Sequence, residues 1–138
     1  MSHFVEVPSV KIMDLAVLEQ AAHSCGLMLV RGQQTYHGYQ WTYGKREQQA
    51  CDHAIVSMTP NGTDGYEVGL VPAEGGGWTL SFDAMGAKLL EKCGEGMGKF
   101  LQAYSIGLIQ KTAAQHRGQV LSQTVLPDGR VAVRVMMA

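Results

Sequence analysis

Apolar residues recur along the chain with two periods, and each switch between them marks an element boundary. Phe4, Val5, Val7 and Val10 form a β-prone opening in which Pro8 predicts an edge or a bulge. Leu15, Leu18, Ala22 and Cys25 follow at helical spacing. Asp14 can cap that segment and Gly26 can stop it, which predicts a helix over Asp14–Cys25. Leu27 to Val30 reads as a short buried strand. The two-residue period returns at Ala54–Met58, at Tyr66, Val68 and Leu70, and at Trp78, Leu80 and Phe82. Pro60-Asn61-Gly62-Thr63-Asp64-Gly65 is a turn, and Glu74-Gly75-Gly76-Gly77 fits a hairpin connection.

The carboxyl-terminal third repeats the theme. Leu89, Leu90 and Cys93 suggest a short helix, weakened by Gly86, Gly94, Gly96 and Gly98, since glycine costs about 1 kcal/mol against alanine inside a helix. Phe100, Leu101, Tyr104 and Leu108 predict a longer helix over Lys99–His116. Gly107 inside it implies that something packs closely there. After Gly118, the alternating segments Gln119–Val125 and Arg130–Met136 flank Pro127-Asp128-Gly129 and predict a hairpin. Val131, Val133 and Val135 are expected on its buried face, with Arg130 and Arg134 exposed. The order β-α-β, antiparallel strands, then α-β-β defines an α+β fold: a single antiparallel sheet with two main helices packed on one face. Neither a repeat nor a linker divides the chain, so residues 1–138 are expected to form a single domain.

Composition narrows the function classes. A formal net charge of −1 gives no basic footprint for long nucleic acid or an anionic membrane surface. Cys25, Cys51 and Cys93 are odd in number and scattered, which favours free thiols in a reducing cytoplasm over a disulfide framework. The opening residues lack a basic segment followed by an apolar run, so no secretory signal is expected.

Residues 31–50 have the most unusual local composition. Tyr36, His37, Tyr39, Trp41 and Tyr43 are interleaved with the cations Arg31, Lys45 and Arg46. Aromatic rings beside cations can stack a base or anchor a protein interface. Tyr39, Trp41 and Tyr43 also alternate as strand residues packing one face of a hairpin would.

The other chemical candidates are weaker. Ser2 and His3 fit the start of a strand as well as they fit a site, because a histidine needs partners to act as a catalyst. Cys51 and His53 would share one face of a strand, but zinc requires three or four convergent ligands and no second pair accompanies them. Gly94, Gly96 and Gly98 before Lys99 invite a phosphate-loop reading, yet they match neither the dinucleotide fingerprint nor the P-loop spacing. No serine lies in a nucleophile motif, and no pair of acids has a recognisable spacing. Catalytic residues, cofactor and metal ligands are therefore not assigned.

In order, Met1-Ser2-His3-Phe4, Asp14-Leu15 with Leu18 and Ala21-Ala22, and Gly38-Tyr39-Gln40 are followed by Tyr66-Glu67-Val68-Gly69-Leu70 and Trp78-Thr79-Leu80 through Asp83. Phe100-Leu101-Gln102 with Tyr104, Gly118 and Asp128-Gly129-Arg130-Val131 complete a series that covers nearly the whole chain. In that order the chain resembles the domain of unknown function 1257 family. It includes the hypothetical chloroplast reading frame thirty-five proteins of plastids and cyanobacteria and looks to be carried by bacteriophages. The chain departs from the pattern at Glu67, where the family has Asp, and in extra residues around Trp41 to Gln49. The resemblance implies a fold and a size; that family brings no established activity.

These observations lead to a small non-enzymatic binding or adaptor protein acting through a protein–protein surface. The expected contact residues are Arg31, Tyr36, His37, Tyr39, Trp41, Tyr43 and Arg46. The alternative is a small-ligand or nucleotide-binding protein, of phage origin and interfering with a host signal. Another protein is the expected partner, a nucleotide-like ligand the second choice, and self-association stays open. No membrane and no long nucleic acid are expected. The expected compartment is the cytoplasm, that of the host if a phage encodes the chain.

Overall fold

A computed structural model describes residues 4–40, 46–115, 118–125 and 131–137. The elements are β1 (Phe4–Ile12), α1 (Leu15–Ser24), β2 (Leu27–Arg31), β3 (Thr35–Gln40), β4 (Arg46–Ala50), β5 (His53–Ser57), β6 (Val68–Pro72) and β7 (Trp78–Asp83). They continue with α2 (Ala87–Cys93), a 3-10 turn (Glu95–Met97), α3 (Gly98–Gln115), β8 (Gly118–Val125) and β9 (Val131–Met137). The fold is α+β. Its main sheet has five strands in the order β1-β7-β6-β5-β2, and every pairing is antiparallel. The hairpins β3–β4 and β8–β9 are two-stranded sheets of their own.

The helices cover one face of the main sheet. Ile55, Val68, Leu70, Leu80 and Phe82 point into a core closed by Val17, Leu18, Ala21 and Ala22 of α1, Leu89 and Cys93 of α2, Met97, and Phe100 and Tyr104 of α3. The deeply buried line of α3 is thus Phe100 and Tyr104, while Leu101 and Leu108 pack on its margin. Gly107 meets the expected close neighbour, since a Cβ there would lie 2.8 Å from Val17 Cγ1. The hairpin β8–β9 packs against α3. Arg134 is exposed as expected; Arg130 and the side chains of Val131, Val133 and Val135 lie outside what is described.

Long-range polar contacts lock the corner between β1 and α1. The buried Tyr104 hydroxyl accepts from the backbone N–H of Met13 (3.1 Å) and of Asp14 (3.2 Å). Asp14 caps α1 by accepting from the Val17 N–H at 3.0 Å, and Lys111 of α3 donates to its other oxygen at 2.5 Å. The Lys111 contact, followed by the Val17 N–H, holds the Asp14 carboxyl below its usual range. A carboxyl depressed by folding contributes stability that is present above its unfolded pKa and is lost as pH falls through the folded pKa. Lys111→Ala should therefore shrink the stability difference between neutral and acid solution, measured as urea midpoints near pH 7 and near pH 3. An unchanged difference would mean that this pair contributes nothing to acid stability.

One expectation is corrected at β2. Among the described residues Leu27–Val30 is an edge strand with β5 on one side, and of these four residues only Leu27 is fully buried. Helix α1 covers one of its faces, leaving Met28 on the other 40% exposed. A short apolar run is equally compatible with a central or an edge position, because only the neighbours decide which it is.

Candidate functional site

Within the polar segment, β3 and β4 form a second layer on the face of the sheet opposite the helices. Side chains alternate along β3, so Tyr36 and Gly38 point at the sheet while His37 and Tyr39 point away. Tyr36 packs with Cys51, Ala54, Phe4, Val56 and Val71 in a small second core, and its ring meets Phe4 edge-on at 5.4 Å. Its hydroxyl lies 2.5 Å from Ser81 Oγ. With 2% of its surface exposed, Tyr36 is a structural anchor rather than a contact residue. The compositional cluster is split because residues three apart on a strand face opposite ways.

Two glycines let β3 approach so closely. A Cβ on Gly69 of β6 would run into the Tyr36 ring, and one on Gly38 would lie 2.6 Å from both Asp83 Oδ2 and Phe4 Cζ. Two carboxylates then fasten the hairpin. Buried Asp83 accepts from the Tyr39 N–H at 2.8 Å and from the Met85 N–H at 2.9 Å, tying β3 to the turn before α2. Glu67 Oε1 accepts from the His37 N–H at 2.9 Å and from Gln33 Nε2 at 3.2 Å, and pairs with His37 Nδ1 at 2.7 Å.

The chemistry at the surface gathers where the hairpin passes the turn before β6, with Arg46 and Tyr66 half-buried and Asp64 and Lys88 exposed. The Arg46 guanidinium lies 5.2 Å above the Tyr66 ring, and its Nη2 donates to the Asp64 carbonyl at 2.9 Å. It sits against Gly65, where a Cβ would come within 2.8 Å of Arg46 Cζ and where φ is +82°. Lys88 of α2 pairs with the Asp64 carboxylate at 3.0 Å. Burial, then the Asp83 charge, pushes the Tyr66 hydroxyl above its ordinary range, so the ring stays neutral in the cell. Tyr66, Asp64 and Lys88 were not among the residues expected from sequence. Tyr66 reads as one more alternating strand position, although β6 begins only at Val68.

The remaining candidates separate. Arg31 belongs to β2 and pairs with Glu19 of α1 at 3.7 Å, on the helix-covered side and away from the hairpin layer. Trp41 and Tyr43 lie outside the described residues. Cys51 and His53 do not share a face. Cys51 precedes β5, faces Tyr36 and donates from Sγ to the Gln33 carbonyl at 3.2 Å. His53 packs edge-on against Trp78 at 5.1 Å, and its Nδ1 accepts from the Gly32 N–H at 2.9 Å. Trp78 Nε1 in turn donates to Asp52 at 2.9 Å.

No group of three His, Cys, Asp or Glu among the described residues is arranged to hold a metal. All three cysteines are buried and unbridged. Burial raises the Cys51 thiol to about 11 and the Cys93 thiol to about 12, so neither is a thiolate nucleophile at neutral pH. His37 is oriented by Glu67 as a general base would be, but the thiol nearest this pair in the hairpin layer, Cys51, is protonated and turned into the core. Glycines 94 and 96 have φ of +80° and +61° and serve the tight passage from α2 into α3. No helix among the described residues is long and apolar enough to cross a membrane.

The fold and its surface define an α+β domain whose sheet carries helices on one face and an anchored aromatic hairpin on the other. No family model, curated protein or solved structure matches this chain.

Proposed function

We propose that this protein is a small non-enzymatic binding or adaptor protein that engages another protein through the end of the β3–β4 hairpin. The observation that carries this reading is Arg46 stacked on Tyr66 beside Tyr39 and Lys88, at the end of a hairpin fastened by Tyr36, Asp83 and Glu67. Arg and Tyr are enriched at interface hot spots, and a platform braced before binding loses less entropy on association. Trp41 and Tyr43 join this surface in the proposal on the strength of their sequence position between Tyr39 and Arg46. The resemblance to the domain of unknown function 1257 family belongs to the same proposal, as does a cytoplasmic setting, that of the host if a phage encodes the chain. Three unbridged cysteines favour a reducing compartment.

The test is affinity retention from a cell extract by the wild type and by Trp41→Ala/Arg46→Ala. The double variant should lose the retained protein. Its melting temperature should fall by only several degrees, because a half-buried cation–π contact contributes about 1–2 kcal/mol. A folded double variant that keeps every partner would move the surface elsewhere. Thermal stabilisation by a nucleotide, with no protein retained, would favour the small-ligand alternative, since the same cation and rings could stack a base.

A further inference from the structure

The two edges of the main sheet are not alike. β1 carries Pro8, breaks register between Val7 and Ile12, and near its end has Lys11 donating to the Glu74 carbonyl. Prolines, bulges and lysines are the devices that prevent one sheet edge from pairing with another. β2 has none of them between Leu27 and Val30, and its five residues keep unbroken register with β5.

The direction of its backbone groups follows from two contacts. The Met58 N–H donates to the Gly26 carbonyl, and the Gly32 N–H donates to His53 of β5. Even-numbered residues of this segment therefore bond toward β5, and by alternation the N–H and C=O groups of Leu27, Leu29 and Arg31 point outward. On the face not covered by helices, Met28 is 40% and Met58 54% exposed, with Val30 and Val56 half-buried beside them.

We propose that β2 pairs antiparallel with β2 of a second copy of this chain, about a two-fold axis at Leu29, joining two sheets into one. In that register Leu27 of each copy exchanges hydrogen bonds with Arg31 of the other, and Leu29 with Leu29. Met28 then lies opposite Val30 in both halves, so the same residues supply both sides of an isologous contact. The two arginines fall at opposite ends of the seam, each held by its own Glu19. A parallel arrangement would set them side by side, and like charges directly opposite are destabilising. Charge and apolar pattern thus favour a second copy. This inference is independent of the hairpin surface, which lies in a different layer.

Sedimentation of the full chain across the micromolar range should show a reversible dimer. Met28→Lys should weaken it about tenfold or more, because the lysine must be desolvated against Val30 of the other copy. In the proposed register the Leu29 Cα atoms approach to about 5.5 Å, within disulfide reach, so Leu29→Cys should cross-link on mild oxidation more completely than the more exposed Met28→Cys. A wild type that stays monomeric overturns the proposal. So does a dimer unmoved by Met28→Lys, or one that cross-links through Met28→Cys instead. If Met28→Lys unfolds by circular dichroism, the comparison of the two cysteine variants decides the question alone.

Discussion

Gly69→Val is expected to destabilise the protein by about 3 kcal/mol or more, at the upper end of overpacking costs. Its first added carbon would collide with the Tyr36 ring. That ring has no free direction in which to move, being held by Phe4 edge-on and by Ser81 at its hydroxyl. The backbone of β6 cannot retreat either, because Gly69 pairs with Ala54 on one side and Ser81 on the other. Urea unfolding measures the loss directly. A double-mutant cycle isolates its cause. In a Tyr36→Ala background, itself destabilised by about 3–5 kcal/mol, the smaller substitution Gly69→Ala should be nearly neutral, giving a coupling of about 2 kcal/mol. Additive single effects would mean that the hairpin does not lie on the sheet as described.

Phe100→Ala should cost about 3–5 kcal/mol, the range for removing a fully buried aromatic ring. Phe100 has no exposed surface, and the core around it includes residues of α1, α2 and α3 and of all five main-sheet strands. Leu101→Ala, one residue later, should cost clearly less, because Leu101 is only partly buried at the rim of the same core. Denaturation midpoints of the two variants fix which line of α3 faces the sheet. Reversed costs would rotate the helix by about 100° from the orientation described here, one residue's turn.

Neither substitution alters the half-buried platform of Arg46 and Tyr66 itself, so their effects on binding should follow the folded fraction alone. Loss of binding in a variant that is still folded would instead indicate that the hairpin's seat on the sheet tunes the surface.

Local pattern was enough to read most elements. Asp14 and Gly26 bracket α1 because caps and stops act on the nearest turn of backbone. Val68 and Leu70, and Leu80 and Phe82, alternate because one face of each strand is always buried, whatever lies above it. Gly107 betrayed a close neighbour through its cost to the helix, and Val17 is that neighbour. What the sequence could not contain was the identity of partners far along the chain. That β1 pairs with β7, that β2 is an edge among the described strands, and that β3 and β4 lie over the sheet depend on contacts made only after collapse. Composition therefore grouped Tyr36 with Tyr39 and Arg46, although parity along β3 buries Tyr36 and turns Tyr39 away from the sheet, and Arg46 of β4 is half-buried. Tyr66 and Arg46 are twenty residues apart, and nothing local links a turn to a strand in another layer. By itself the sequence determined most of the elements, the limits of α1 and the apolar company of Cys25 and Cys93. Only the tertiary structure decided which aromatic became an anchor and which became a surface, because burial is set by what packs across and not by what lies alongside in the chain.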